Sequence, residues 1–312
     1  MMDEQAAWTA EPGPGSSGHA VRSARPWRWL RTVIASMWNR REGRFALVTL
    51  GLWVLTALVC LVWTPWPLWR TDGYQVWQSP SRAHWLGTDG TGADVLSWLL
   101  AGSATNLLIC LLAVVFAGAL GTLLLAATVS RSKVLSSGSI VLVDALISIP
   151  TVLLALLLAV PMGASVAVII VACGVGYGLN LARVARPQAL LAAGSDYVQS
   201  ALASGASGWR ILTSHILPNV APPMAVQLSL SAGTSVLAES GLTYLGVGVP
   251  SGVPSWGHSL TTSVKFINVY PLTVLWPGLV VTLVVVALNV FGDVLREAID
   301  PAANPVLRKG EA

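Results

Sequence analysis

The ionisable side chains that could carry chemistry are few in this sequence. Only 10% of its 312 residues are charged, and two acidic residues, Asp144 within one long apolar run and Glu239 at the end of another, are the candidates for a functional carboxylate. A carboxylate at membrane depth is costly and commonly functional, because lipid cannot solvate it. We therefore expect each of these carboxylates either to line a translocation path or to lie at a helix end and reach interfacial water.

Nucleophilic and metal-binding groups form no recognisable site. His84, His215 and His258 fall in three different polar segments without ligand spacing, so the sequence predicts no metal. Each cysteine stands alone in an apolar run, which is typical of a small buried hydrophobe (Cys60, Cys110, Cys173). The sequence contains neither a Gly-x-Ser-x-Gly elbow nor a Gly-x-x-x-x-Gly-Lys-Ser/Thr phosphate loop. It therefore predicts no catalytic residue and no cofactor on this chain. A membrane-embedded hydrolase is an alternative function that these motifs do not favour.

The elements that must position these residues are apolar helices. Hydrophobic residues make up 54% of the chain and the mean hydropathy is +0.69, whereas a soluble domain carries roughly 25% charged residues. This composition predicts an all-α polytopic membrane protein of about six spans. We expect a disordered cytoplasmic tail over 1–37, a transmembrane domain over 38–300 and a second tail over 301–312. The predicted spans are 45–63, 104–129, 140–160, 164–182, 220–238 and 271–292.

The basic residues predict how these spans are oriented. If the N-terminus is cytoplasmic, 15 of the 18 Lys and Arg residues lie inside and three lie outside. Such a bias follows the positive-inside rule. It predicts a multi-pass protein of the bacterial plasma membrane with both termini in the cytoplasm. The same clustering beside apolar runs, without a separate basic face, argues against a nucleic-acid partner.

The polar segment over 195–215 predicts two short cytoplasmic helices with a break between them. Ser195 can cap the first helix, and Asp196 suits its positive end. Gly205 is placed to end that helix with a positive φ, and Ser207 can cap the second helix. Pro218 suits the first turn of the fifth span. From these residues alone, a docking surface and an amphipathic connector lying on lipid remain equally open.

This segment resembles the cytoplasmic signature of the permease subunits of ATP-binding-cassette importers, in the dipeptide/oligopeptide/nickel branch. The similar residues there are Tyr197-Val198, Gln199-Ser200-Ala201, Gly205-Ala206-Ser207 and His215 to Asn219. Further blocks in the same order resemble the branch's second, C-type permease. They are His84 to Asp89, Leu237 to Gly248, Pro254-Ser255-Trp256-Gly257 and Asn289 to Arg296. The resemblance covers about residues 38–305.

The resemblance implies a type I importer permease (MetI-like) fold, paired with a homologous second permease in a heterodimer. It implies separate ATPase subunits, which hold ATP and Mg, and an extracytoplasmic binding protein that delivers peptide to external loops containing Asp89, Asp94 and Trp256. Dipeptide, oligopeptide, nickel chelate and haem all remain open as cargo. The residues implied to couple to the ATPase are Asp196, Tyr197, Gln199, Ser200, Ala201, Gly205, Ala206, Ser207, Ile211, Leu217 and Pro218.

Two residues depart from the family pattern. Ala93 stands where the family usually has Arg, and Gln199 stands where the cytoplasmic signature begins with Glu. Any ion pair of that Arg, and any electrostatic role of that Glu, is absent here. The alternative function is a self-sufficient secondary transporter in which Glu239 or Asp144 carries a coupling ion.

Overall fold

The computed structural model describes residues 26–70 and 73–299, and within them the regular elements are all helices. The single β-type feature recorded there is an isolated bridge between Thr88 and Asp94. In chain order the α-helices are α1 Pro26–Trp38, α2 Arg41–Val59, α3 Val95–Thr128, α4 Lys133–Leu146, α5 Thr151–Met162, α6 Val166–Ala193, α7 Asp196–Ala203, α8 Gly208–Ile211, α9 Leu217–Tyr244, α10 Trp256–Val264 and α11 Pro271–Ile299. A π-helical turn, Leu212–Ile216, joins α8 to α9.

Four of these helices are long and apolar enough to cross a membrane: α2, α3, α6 and α11. The pair α4 and α5 is a fifth candidate if the two are counted as one broken span. The longest, α3, has 34 residues, or about 51 Å at the helical rise, well beyond the roughly 30 Å of a bilayer core. The prediction of a helical polytopic membrane protein is confirmed.

The third predicted span is not a continuous helix. The segment predicted as one span over 140–160 is divided between α4 and α5, which meet at 88°, and whether the pair crosses the membrane stays a prediction. Pro150 lies between the two helices. It has no N–H to donate to a preceding turn, and it disfavours helical geometry at the residue before it. Pro150 therefore accounts for the break, although the segment around it is largely apolar.

The fifth predicted span corresponds to α9, which is long but polar. Its 28 residues would reach about 42 Å, yet it does not meet the apolarity of the four spanning helices. The polar residues face inward, since Ser231, Ser235 and Thr243 are all buried. Helix α9 packs among α3, α6 and α11. The count of six spans stays a prediction.

Three other boundaries differ from the sequence-based expectations. Helix α1 occupies 26–38, so the tail predicted over 1–37 is wrong for its last twelve residues, while 1–25 and 301–312 lie outside the described residues. Helix α3 begins at Val95, nine residues before the predicted span, because the Asp94 side chain caps it. Helix α10 lies in what the sequence predicted to be a loop.

Helices α3 and α6 form the most extensive helix pair of the described structure. A Cβ added at Gly121 of α3 would lie 2.7 Å from Leu181 Cδ2 and 2.9 Å from the Gly178 carbonyl oxygen of α6. Small residues let backbones approach this closely where no hydrophobic effect drives helices together. Near one end of the α3–α6 pair, α7 and α8 pack against both helices.

Candidate functional site

The turn between α7 and α8 is closed by a Schellman motif centred on Gly205. The Gly205 N–H donates to the Leu202 carbonyl over 3.0 Å, and the Ala206 N–H donates to the Ala201 carbonyl over 3.0 Å. Gly205 has a φ of +82°, a conformation that costs residues with a Cβ about 1–2 kcal/mol. The predicted break with a positive φ at Gly205 is confirmed. Two short helices are thereby held in one fixed hairpin.

This helix pair is anchored on the inner face and open on the outer face. Val198 of α7 and Ile211 of α8 are buried in one cluster with Leu125 of α3 and with Leu181 and Ala185 of α6. Among the predicted coupling residues, Ile211, Ala201, Ala206 and Leu217 turn towards this anchor and are buried or partly buried. The exposed ones are Asp196, Tyr197, Gln199, Ser200, Gly205, Ser207 and Pro218.

The two predicted helix caps have different outcomes. Ser207 caps α8, since its Oγ accepts from the Arg210 N–H over 3.3 Å. Ser195 occupies the cap position of α7, but its hydroxyl donates to the Ala192 carbonyl at the end of α6 over 2.6 Å. The prediction that the Ser195 side chain caps α7 is therefore wrong. The hydroxyl instead ties α7 to the helix before it.

The helix pair continues into α9 without a loop. Helix α8, the π-helical turn and α9 follow one another residue by residue, with Pro218 in the first turn of α9 as predicted. Asn219 reinforces the junction, because its Nδ2 donates to the Tyr197 hydroxyl over 3.1 Å and to the His215 carbonyl over 2.6 Å. The α7–α8 pair is thus joined to α9 both through the backbone and through side-chain hydrogen bonds.

Sequence reasoning missed two residues on the outer face. Trp209 is 73% exposed and Arg210 is exposed beside it. A large aromatic residue open to solvent next to a cation is typical of an interface, where Trp and Arg are enriched. The sequence could have indicated these two residues, because they lie two and three positions after the predicted Ser207 cap, in the first turn of α8.

Glu239 lies at the hub of a closed network at the other end of α9. Its side chain is 0% exposed. Oε2 accepts from Asn106 Nδ2 of α3 over 2.8 Å, and Oε1 accepts from the Thr243 hydroxyl over 3.0 Å. Helix α10 packs directly on it, since a Cβ added at Gly257 would lie 2.9 Å from Oε1. In this conformation the carboxylate joins three helices and faces no open path within the described residues.

Trp256 and Asp94, both predicted for an external loop, are buried anchors. Trp256 is 0% exposed, and its Nε1 donates to the Leu99 carbonyl over 2.9 Å. Asp94 caps α3 by accepting from the Ser97 N–H over 2.8 Å, and its other oxygen lies 2.9 Å from His84 Nδ1. They fix the start of α3 and of α10 rather than presenting a surface.

Asp89 and Asp144, unlike Glu239 and Asp94, are not buried. Asp89 borders a cavity of about 290 Å³ between the loop after α2, the start of α3 and α10. In α10, burial lowers the pKa of His258, and the nearby Asp89 charge opposes that shift. Asp144 of α4 forms a two-pronged ion pair with Arg186 of α6, with N–O distances of 3.1 and 3.2 Å.

Comparison with known proteins supplies the context for this geometry. Residues 117–305 match the family described as binding-protein-dependent transport system inner membrane component. The chain is 36% identical to the probable peptide ABC transporter permease protein y4tQ of Sinorhizobium fredii, over 84% of this chain and 91% of that protein. It is 29% identical to the dipeptide transport system permease protein DppC of Alkalihalophilus pseudofirmus, over 94% of this chain and 95% of that protein. It is 30% identical to the probable D,D-dipeptide transport system permease protein DdpC of Escherichia coli, over 90% of this chain and 96% of that protein.

Proposed function

Because the chain belongs to the family of binding-protein-dependent transport system inner membrane components, we propose that it is the permease subunit of an ATP-driven peptide importer. Relatives similar along nearly their whole length are named as permeases for peptides and dipeptides. The chain supplies part of the membrane pore. ATP and Mg belong to a separate ATPase subunit, in keeping with the absence of a phosphate-binding loop from this sequence.

The proposed assembly has three kinds of partner. A homologous second permease completes the pore, an ATPase docks on the cytoplasmic helix pair, and an extracytoplasmic binding protein delivers peptide to the external side. The positive-inside bias supports cytoplasmic termini, which puts α7 and α8 on the ATPase side of the bilayer. Phospholipid surrounds the apolar helices, whose outward residues include Leu52, Leu123 and Leu157.

The observation that carries the docking role is the two-faced geometry of α7 and α8. The inner face is fixed to α3 and α6 through Val198 and Ile211, while the outer face presents Tyr197, Trp209 and Arg210 to solvent. ATP-driven closure of the ATPase would pull on this outer face. The continuous helix through the π-helical turn into α9 then transmits the motion to the network around Glu239 at the external end.

A self-sufficient secondary transporter, the alternative from the sequence, is not supported. The family match places the chain among inner membrane components of binding-protein-dependent systems. Asp144 is paired with Arg186, and Glu239 is enclosed by hydrogen-bond donors of the protein. Neither carboxylate is arranged as an open site for a coupling ion in this conformation.

The test of docking replaces Gly205 with Val and compares it with Gly246→Val. Both glycines have a positive φ, +82° and +80°, and both have open space around the missing Cβ. They differ in position, since Gly205 lies between α7 and α8 and Gly246 follows α9 at the external end. The two substitutions therefore impose the same local strain on opposite sides of α9.

We expect Gly205→Val to lower co-purification of the ATPase subunit with the permease and to uncouple ATP hydrolysis from peptide uptake in proteoliposomes. Gly246→Val should leave co-purification of the ATPase at the wild-type level. Equal amounts of ATPase retained by both variants, with coupled uptake in the Gly205 variant, would rule out the docking role.

A further inference from the structure

The external cavity beside Asp89 has a chemical character that the proposed pore function does not explain. It encloses about 290 Å³ between the loop after α2, the start of α3 and helix α10. Its lining includes Trp69, Asp89, Trp98, His258 and Thr262. A cavity of this size holds a side-chain-sized group, since a water molecule takes roughly 30 Å³ of the liquid.

We propose that this cavity binds an organic cation, an ammonium or guanidinium group. Two sources fit the chemistry: a basic cargo peptide, and a Lys or Arg side chain of the extracytoplasmic binding protein. The choice between these sources rests on the proposed importer function, whereas cation binding itself does not.

Asp89 supplies an unneutralised negative charge at the cavity. Oδ1 accepts from the Thr91 N–H over 2.8 Å, from the Thr91 hydroxyl over 2.7 Å and from the Ala93 N–H over 3.0 Å. For Oδ2 no hydrogen bond is recorded within 26–70 and 73–299, and no Lys or Arg in those ranges forms an ion pair with this carboxylate. One oxygen holds the loop in shape, and the other remains for a ligand.

The hydroxyl groups of the cavity present hydrogen-bond acceptors. The Thr262 hydroxyl donates to the His258 and Ser259 carbonyls over 3.2 and 3.1 Å. The Ser259 hydroxyl donates to the Ser255 carbonyl over 3.2 Å, and the Thr273 hydroxyl donates to the Tyr270 carbonyl over 2.8 Å. Each of these three hydroxyls has a single hydrogen, which backbone carbonyls already accept, so towards a ligand its oxygen can act as an acceptor but not as a donor. Ammonium and guanidinium groups carry donors and no acceptors, which matches these oxygens.

Aromatic rings form one wall of the cavity. Trp69 and Trp98 meet edge to face with centroids 5.7 Å apart, and the His258 ring lies 5.7 Å from Trp98. The faces of indole rings attract cations through their quadrupole. Burial lowers the pKa of His258, so the imidazole is neutral at neutral pH and adds no positive charge. Among the described residues of the lining, Asp89 is then the single charged group.

A metal ion does not fit the same lining. Asp89 and His258 are its two potential ligands of the His, Cys, Asp and Glu types. Across the described parts of the chain, no group of three or more such residues is arranged to hold a metal. The donor-rich organic cation remains the class of ligand that uses the carboxylate, the hydroxyl oxygens and the aromatic wall together.

The direct test measures equilibrium binding of radiolabelled arginine amide to the purified full-length transporter complex in detergent, with the α-amino group of the probe acetylated so that the guanidinium is its single charge. Citrulline amide, acetylated in the same way, has the same shape at its end without the guanidinium charge and is the probe control. We expect arginine amide to bind at least 10-fold more tightly than citrulline amide. Equal binding of the two probes would overturn the proposal.

Two variants locate the binding in this cavity. Asp89→Asn retains an acceptor at the Oδ1 position and removes the charge, so the loop bonds persist while arginine amide binding should weaken at least 10-fold. Ala93→Arg tethers a guanidinium at the cavity wall and should block the probe. Asp293→Asn, an equal charge change at an exposed position of α11, is the matched control and should bind as wild type. Unchanged binding in Asp89→Asn overturns the proposal even if Ala93→Arg fails to fold.

Two further measurements on Asp89→Asn distinguish the sources. If the cation is cargo, uptake of lysine-containing peptides falls while uptake of alanine peptides stays at the wild-type rate. If it belongs to the binding protein, affinity of that protein for the permease falls equally for every cargo. If both the uptake of lysine-containing peptides and the affinity of the binding protein stay at the wild-type level in Asp89→Asn, both assignments are overturned. Uptake of alanine peptides by the wild-type complex tests the importer function separately, so failure of one claim is distinguishable from failure of the other.

Discussion

Asn106 of α3 and Glu239 of α9 are hydrogen-bonded side chain to side chain across 133 residues of sequence, with Asn106 Nδ2 2.8 Å from Glu239 Oε2. The other end of the same amide accepts the Trp256 backbone N–H of α10 over 3.2 Å. A single amide group thus links α3, α9 and α10 near the C-terminal end of α9. A buried carboxylate or N–H without a hydrogen-bond partner is costly. The Asn106 amide supplies a donor to Glu239 and an acceptor to Trp256, which an apolar residue of equal size cannot do.

Replacing Asn106 with Leu should destabilise the protein strongly. The substitution preserves approximate size but removes the shortest hydrogen bond to Glu239 and leaves the Trp256 N–H unpaired. The unpaired Trp256 N–H costs about 1–3 kcal/mol, and Glu239 Oε2, which keeps the Ser240 hydroxyl as a donor over 3.2 Å, loses one bond of about 0.5–1.5 kcal/mol, so the predicted loss is about 1.5–4.5 kcal/mol. The measurement is the free energy of unfolding of the purified protein in detergent.

Asn289→Leu is the matched control for this variant. It makes the same change of side chain on a spanning helix, α11, and within 26–70 and 73–299 no hydrogen bond of the Asn289 side chain is recorded. Its loss of stability should therefore be much smaller. Equal losses in the two variants would contradict the role of the network.

The α3–α6 contact predicts opposite effects for two glycines one turn apart. A Cβ at Gly121 would lie 2.9 Å from the Gly178 carbonyl oxygen, a backbone atom that cannot move alone, whereas a Cβ at Gly118 would lie 3.5 Å from the flexible Leu228 side chain. We expect Gly121→Ala to cost about 1–3 kcal/mol through overpacking. Gly118→Ala should be neutral or stabilise by up to about 1 kcal/mol, since Ala favours the helix.

Unfolding curves of the two alanine variants in the same detergent measure these effects. The two substitutions add the same atom to the same helix, so differences in detergent or in unfolded-state entropy cancel between them. Shifts of the same sign and size would show that the close approach of α3 and α6 does not limit packing.

Features governed by neighbouring residues could be predicted from the sequence. The positive φ at Gly205 and the Ser207 cap depend on a few adjacent residues, and both are present. The apolar runs similarly predicted helices α2, α6 and α11. The predicted Ser195 side-chain cap was wrong because the hydroxyl donates to the Ala192 carbonyl, three residues before it, and the sequence does not show which of two nearby partners the hydroxyl takes.

Features set by distant contacts could not be predicted. The sequence does not show that Ile211 faces α3 and α6 while Trp209 faces solvent, because the choice depends on how the helix pair is seated. Nor does it reveal the ion pair of Asp144 with Arg186, which lies 42 residues away. Helix α10 was hidden in a segment rich in Gly, Ser and Pro, where its Ser255 cap and the buried Trp256 ring fix the first turn.

His258 predicts a loss of stability in mild acid. Burial lowers the pKa of His258 in the folded protein, and Asp89 opposes that shift. In the unfolded chain the pKa is about 6.5, so as the pH falls the unfolded state binds a proton before the folded state does. The contribution to stability is therefore fully present above about pH 6.5 and is lost as the pH falls towards the folded pKa. We expect the unfolding temperature of the wild type to drop more steeply between about pH 7.5 and 5 than that of His258→Gln.

The variant Asp89→Asn sharpens this prediction, because it removes the charge that opposes the shift. The folded pKa of His258 should then fall further, and the loss of stability should extend to lower pH than in the wild type. Thermal unfolding followed by circular dichroism at a series of pH values measures all three proteins. The expected order of steepness is Asp89→Asn, then wild type, then His258→Gln. Parallel curves for wild type and His258→Gln would show that the pKa of this imidazole is the same in the folded and unfolded states.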